Sequence, residues 1–213
     1  MYNPEIFSET DIAYARDLTR AHPFAMLVCA GPDGPVIDHL PLLWRGEDYL
    51  IGHIAAANPL NAMALASDKV QLVFRGEDSY ISPNWYPSKA THHKHVPTWN
   101  YQVVHLEGQI RFLADAKSKR AIVGQLTTYF EKLENGDQGW RMADAPRDYM
   151  DQMLENITGF EIKVTAFNAK SKLSQNRAET DRLSVRDHLA RKGYGEMAKR
   201  MDDGQMDQAK NDR

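Results

Sequence analysis

Turn-forming tetrapeptides interrupt the first eighty residues at short intervals, and that spacing restricts the chain to a core of short strands joined locally. Phe24 to Ala30 is nearly continuous apolar sequence, Gly31-Pro32-Asp33-Gly34 has turn chemistry, and Pro35 to Leu42 reads as the returning strand of a hairpin. Arg45-Gly46-Glu47-Asp48 is another tight turn, after which Tyr49 to His53 reads as a third strand able to pair beside the second. Val70 to Phe74 and Ser79 to Ser82 read as two further strands, divided by Arg75-Gly76-Glu77-Asp78. Thr98 to Phe112 is a long strand or a bent pair with Gly108 as a candidate bulge, and Phe160 to Ala169 is the last strand.

Helical signals sit between these runs without alternating strictly with them. Ser8-Glu9-Thr10-Asp11 supplies capping groups, Ile12, Ala15 and Leu18 supply apolar spacing, and Pro23 ends a first helix near 10 to 21. Asn58 can cap, and Pro59 suits the first turn of a short helix running to about Ser67. Helices are expected near 115 to 133 and 146 to 157, then a C-terminal helical extension over about 180 to 205 and a frayed polar tail. Many locally joined strands with helices set between them predict an α+β fold, an antiparallel barrel with packed helices, over a doubly wound parallel sheet. No repeat, low-complexity segment or linker divides the 213 residues, so 1 to 213 reads as a single domain.

A net charge of −3 gives no global positive field for nucleic acid, so DNA contact would need a local patch. Cys29 is the only cysteine, and no apolar stretch approaches the roughly 20 residues of a membrane helix. Met1-Tyr2-Asn3-Pro4-Glu5 lacks the basic n-region of a secretory signal. The expectation is a cytoplasmic protein without intrachain disulfides or membrane contact.

The sequence has no Walker A loop, G-x-G-x-x-G, G-x-S-x-G or H-E-x-x-H. Phosphate binding would need another device, and Gly52 to Pro59 offers one. Small residues such as Ala57 let a backbone approach, a helix start points free N–H groups, and His53 and Asn58 add donors. An ordinary capped strand-to-helix turn explains the same residues. Tyr80-Ile81-Ser82-Pro83-Asn84-Trp85-Tyr86 and Pro97-Thr98-Trp99-Asn100-Tyr101 bring aromatic and amide groups to both ends of a proline-rich loop over 83 to 97, a mixture suited to a planar ring. Core packing of Trp85 and Trp99 is the alternative. Thr91-His92-His93-Lys94-His95 lacks cysteine and carboxylate ligands, so a solvated, pH-sensitive loop is favoured over zinc, with haem ligation a further reading. Lys170 to Arg177 combines cations with hydroxyl and amide donors, as an anionic ligand wants, or is a solvated turn. Cys29 reads as a buried small hydrophobe.

Taken in order, these segments resemble the PaiB family of FMN-binding negative transcriptional regulators. The resemblance runs from Tyr2-Asn3-Pro4 and Phe7 through His39-Leu40-Pro41, Gly52-His53 to Asn58-Pro59, Tyr80 to Pro83 with Trp85-Tyr86, and Val96 to Tyr101 with His105 and Gly108, to Lys172-Leu173-Ser174-Gln175-Asn176-Arg177. It implies a split β-barrel of the FMN-binding type, related to pyridoxamine-phosphate oxidases, with FMN at the interface of a homodimer. It further implies His39, His53, Ala57 and Asn58 near the phosphate and Tyr80, Ser82, Trp85, Trp99 and Asn100 near the flavin. Lys172, Ser174, Gln175 and Arg177 are expected at the same or the partner subunit's site. No metal site is expected.

Three functions follow. The resemblance implies an FMN-binding repressor, with DNA as a partner on that ground alone. The basic C-terminal residues Arg182, Arg186, Arg191, Lys192, Lys199 and Arg200 are diluted by Asp181, Asp187 and Glu196 and form no recognisable DNA-binding motif. A flavin-dependent oxidoreductase is the second reading, in which no side chain stands out as acid or base. Haem binding or degradation on the same barrel is the third.

Overall fold

The computed structural model describes residues 1–32, 34–63 and 68–203. The expectations for Asp33, for positions 64–67 of the short helix and for the tail beyond 203 lie outside the described residues. The elements are β1 (Ser8–Glu9), α1 (Ile12–Ala21), β2 (Phe24–Gly31), β3 (Gly34–Pro41), β4 (Leu43–Arg45), β5 (Tyr49–Ala55), α2 (Leu60–Met63) and β6 (Lys69–Ile81). They continue with α3 (Lys89–His92), β7 (Thr98–Leu113), α4 (Ala116–Asn135), α5 (Arg147–Glu155), β8 (Ile157–Lys172), α6 (Glu179–Arg191) and α7 (Gly195–Asp203). Among the described residues the strands form one eight-stranded sheet in the order β3-β2-β6-β7-β8-β5-β4, with β1 against β8. This is the expected α+β, antiparallel fold of split-barrel type.

Three local readings are corrected. Tyr49 to His53 lies in β5, which pairs with β4 and β8 and not with the returning strand of the hairpin. Pro41, opposite Phe24, ends the β2–β3 ladder, and the Leu42 N–H donates to the Pro23 carbonyl at 3.0 Å before a separate β4 begins. Arg75 to Asp78 makes no turn: β6 runs through it as one 13-residue strand. The same four residue types at 45 to 48 do turn, with Gly46 at φ 66. At 75 to 78 Arg75 pairs with Asp78 at 2.5 Å along the strand, and the Glu77 carboxylate takes a tertiary partner, accepting the Met197 N–H at 2.7 Å. The loop over 83 to 97 contains a 3-10 turn at Pro83–Trp85 and the one-turn α3.

Two compact units divide the chain. The second unit, Asp17–Phe74 with His105–Phe167, buries Leu27, Leu50, Ile51, Leu72, Phe74, Phe160 and Ile162. Helix α4 packs Ile122 and Leu126 onto Ile51, and its N-cap Asp115 accepts the Ser118 N–H at 2.9 Å. Gly108 is required by close approach, since a Cβ there would lie 2.5 Å from Ile162 Cγ2 and 2.8 Å from the Lys163 carbonyl. The nearly buried Glu161 carboxylate accepts hydrogen bonds from Arg45 and from Arg111 Nε at 2.9 Å. Cys29 is buried in β2 between Val36 of β3 and Val70 of β6.

The first unit, Met1–Arg16 with Arg75–Val104 and Asn168–Arg213, has its own core. Ile81, Tyr86 and Leu173 pack with Val185 and Leu189 of α6 and Met197, Ala198 and Met201 of α7. Buried Arg182 donates to the Met201 carbonyl, tying the two helices.

Candidate functional site

The expected site residues fall in both units. In the second unit His39 is exposed on β3 and its ring stacks on Phe24 at 6.2 Å. His53, on β5, has a buried Nδ1 without a partner among the described residues, and burial lowers its pKa, which favours the neutral ring. Its neighbour Gly52 faces Phe160, where an added Cβ would meet Cζ at 2.5 Å. Asn58 is capped inward: Oδ1 accepts the Leu60 N–H at 2.8 Å and Nδ2 donates to Asp38 Oδ2 at 3.1 Å. Ala57 is exposed between them. Asp38 was not singled out from sequence, and nothing local signals that a carboxylate 20 positions away takes the Asn58 amide.

In the first unit the ends of β6, β7 and β8 bring several expected residues together. Tyr80 and Trp99 expose 47% and 53% of their surface and meet edge to face, ring centroids 6.0 Å apart, so the pair leaves aromatic surface open without forming a flat platform. The Lys172 ammonium donates to Thr98 Oγ1 at 2.6 Å and to the Trp99 carbonyl. Its pKa is lowered by burial and by the neighbouring charges of Lys170 and Arg177. Lys170, buried, donates to the Tyr2 carbonyl and lies 5.3 Å from the Tyr101 ring centroid. Arg177 lies over the Tyr86 ring at 5.0 Å. Among the described residues no carboxylate pairs with these three cations.

Beside them Asn100 is fully buried, its Oδ1 accepting the Ser174 hydroxyl at 3.0 Å while Nδ2 has no partner among the described residues. Ser174 is held at φ 67, a conformation L-residues seldom adopt. Gln175 braces that turn, Oε1 accepting the Leu173 N–H at 2.7 Å and Nε2 donating to the Ser171 carbonyl at 2.5 Å. Ser82 and Trp85 are used otherwise. Ser82 Oγ accepts the Asn84 N–H at 3.2 Å, and Trp85 packs on the C-terminal helices, stacked on His188 at 5.2 Å with Lys192 over it.

The histidine loop contains an arrangement that sequence could not show. Ser88 Oγ donates to Asp181 Oδ2 at 2.6 Å, and His95 Nε2 lies 2.8 Å from the same hydroxyl oxygen. With the hydroxyl proton directed to Asp181, His95 Nε2 donates to the Ser88 oxygen, and Nδ1 is buried without a partner among the described residues. Serine stands between the other two groups, so this is no nucleophilic triad, in which histidine bridges. His92 Nδ1 accepts the Lys94 N–H at 3.1 Å, and His93 is exposed at φ 55 after α3. No group of three or more metal-ligating side chains occurs among the described residues, and no described helix is long and apolar enough to cross a membrane.

Comparison with known proteins gives three findings. The family described as "Putative FMN-binding domain" matches residues 1–166. "Protease synthase and sporulation protein PAI 2" of Bacillus subtilis is 34% identical over 194 residues, covering 89% of this chain and 89% of the relative. Among solved structures, the FAD and heme binding protein from Mycobacterium smegmatis and the flavocytochrome Anf3 from Azotobacter vinelandii superpose with TM-scores of 0.60 at 15% identity. They cover 82% of this chain and 78% and 74% of their own, a likeness of fold.

Proposed function

The chain belongs to the FMN-binding domain family, and we propose that it acts there as a homodimeric, cytoplasmic, FMN-dependent regulator of transcription of the PaiB type. Its cofactor is FMN. The observation that carries the reading is the exposed Tyr80–Trp99 ring pair together with Lys172, held at the Trp99 carbonyl with no carboxylate at ion-pair distance among the described residues. A planar ligand with acceptor atoms on its edge suits that surface, an apolar ring face against the exposed aromatics and an acceptor for a fixed cation. In the same unit the buried Asn100 Nδ2, without a partner among the described residues, is a further polar atom that such a ligand suits. Bound FMN would supply redox chemistry, while Tyr80 and Trp99 hold the ring and Asn100, Ser174 and Gln175 set the strand ends that carry them.

For the phosphate we assign His39, His53, Ala57 and Asn58. The Asn58 amide already serves Asp38, so phosphate competes with that carboxylate and His53 contributes more. A second copy of the chain is proposed to cover Phe24 and Ile37, 63% and 51% exposed on the β2–β3 hairpin. In α6 and α7, Arg182 serves Met201, Arg186 pairs with Asp187 and Asp202, and Lys192 and Arg200 lie over Trp85 and Tyr14. Regulation is therefore proposed to proceed without α6 as a recognition helix.

Flavin-fluorescence titration tests the cofactor reading. FMN should bind more tightly than riboflavin, and His53→Ala should cost about 1–3 kcal/mol, roughly five-fold to more than a hundred-fold in affinity. Asn58→Ala should cost less. Equal affinity for riboflavin and FMN sinks the phosphate assignment. Sedimentation at micromolar concentration should give about twice 24.2 kDa, and a monomer sinks the dimer. Salt-dependent retention on DNA decides whether contact with an operator is direct.

A further inference from the structure

Residues 1–9 are held to the first unit by side-chain contacts more than by burial. No residue of the 3-10 turn at Glu5–Phe7 is buried, Tyr2 is 85% exposed, and the ladder of β1 on β8 has two pairs, Ser8 with Lys170 and Glu9 with Ala169. Two clasps hold the rest. Asn3 Nδ2 donates to Asn168 Oδ1 at 2.9 Å and to the Ala169 carbonyl at 2.8 Å, and the Lys170 ammonium donates to the Tyr2 carbonyl at 3.1 Å. That ammonium also lies 5.6, 6.0 and 5.3 Å from the ring centroids of Tyr2, Phe7 and Tyr101. Two rings of the N-terminal segment thus close over a cation of β8 and a ring of β7.

Closing has costs that opening removes. Lys170 is 6% exposed with no carboxylate at ion-pair distance among the described residues, and Asn3 Oδ1 is buried without a partner among them. Lifting residues 1–9 returns both groups to water and gives up little apolar burial, the profile of a segment that opens locally at low free energy. Positions 99 and 101 share one face of β7, so what the segment covers, Tyr101 with Lys170, continues the ring surface that Trp99 and Tyr80 leave open. We propose that Met1–Glu9 is an autoinhibitory strap. Closed, it seals Tyr101 and Lys170 under Tyr2 and Phe7; lifted, it adds a ring and an unpaired ammonium to the face at which this chain takes its ligand. The proposal rests on the FMN reading above and gives it a regulation, because FMN gains the extended face only in the open state and so draws the strap open.

Lysine acetylation read by mass spectrometry follows the strap, with the exposed Lys163 as reference in each digest. In the wild type Lys170 should be labelled more slowly than Lys163, by about tenfold for a strap open about a tenth of the time. Asn3→Ala, which leaves Tyr2, Phe7 and Lys170 in place, should bring Lys170 up to Lys163 with the urea midpoint unchanged, and Tyr2→Ala, at an exposed position, should do the same. Flavin-fluorescence titration of Asn3→Ala should show FMN binding tighter than in the wild type by the factor gained in labelling, since both report the open fraction. Lys170 that stays protected in Asn3→Ala overturns the strap. So does a gain accompanied by a lower urea midpoint, which would make residues 1–9 part of the core. Labelling that rises while FMN affinity stays level or falls overturns the autoinhibitory role and leaves FMN binding intact. Wild type and variants that bind no FMN overturn that role together with the reading beneath it.

Discussion

Removing two largely exposed arginines should destabilise the protein more than neutralising the carboxylate they share. The Glu161 side chain is 8% exposed, whereas Arg45 and Arg111 are 39% and 70% exposed. In Glu161→Gln both guanidinium groups regain water at little cost, and the amide oxygen still accepts one bond. The loss is a charge-assisted bond discounted for exposure, about 1–2 kcal/mol. In the double variant Arg45→Ala/Arg111→Ala the carboxylate stays in a nearly closed site with both partners gone, and that unpaired charge should cost more than the bond lost in Glu161→Gln. Urea unfolding at pH 7 compares the two. Glu161→Gln as destabilising as the double variant would refute this reasoning, because the penalty would then lie in lost attraction and not in a stranded charge. The pH dependence has a fixed sign. Burial alone would raise the Glu161 pKa, but hydrogen bonds from Arg111 and Arg45 outweigh it and hold the folded value low. Its contribution is therefore complete above the unfolded value of about 4.3 and is lost as pH falls through the folded one. Glu161→Gln should remove that part of the acid sensitivity.

Two further outcomes are expected from packing and capping. Gly108→Ala should cost about 1–3 kcal/mol in urea unfolding, because the new methyl meets Ile162 and the Lys163 backbone at 2.5 and 2.8 Å; a cost near zero would mean that β7 and β8 part freely there. Asp115→Ala should lower the urea midpoint by removing the N-cap of α4, and Asp115→Asn should recover most of the loss in the same assay.

The hairpin of β2 and β3, the β4–β5 turn and the helix starts at Asp11 and Asn58 were legible because each is decided within a few residues. The tetrapeptide Arg-Gly-Glu-Asp shows the limit of that logic. It turns at 45 to 48 and stays extended at 75 to 78, and the difference comes from a partner on α7 some 120 positions away. Pro41 is another case. Read as part of a continuous strand, it ends one ladder and frees the next residues to join the opposite edge of the strand order. At the site, Tyr80, Trp99, Asn100, Lys172 and Ser174 were legible as chemical types, and β7 and β8 bring Trp99, Asn100, Lys172 and Ser174 into contact. The Asp38 partner of Asn58 and the Asp181 partner of Ser88 were not, since a buried carboxylate looks like any surface charge until the fold places it.

Cys29 gives the protein an internal stopwatch. It is the sole thiol, it is 6% exposed, and burial raises its pKa, so a maleimide or disulfide reagent should meet it slowly in the native state. Opening of β2 should speed labelling, and the rate at high reagent reports how often that happens. Because β2 carries the exposed Phe24 face proposed for the second copy, the same single-site rate measured across protein concentrations would time dimer contact without any engineered probe.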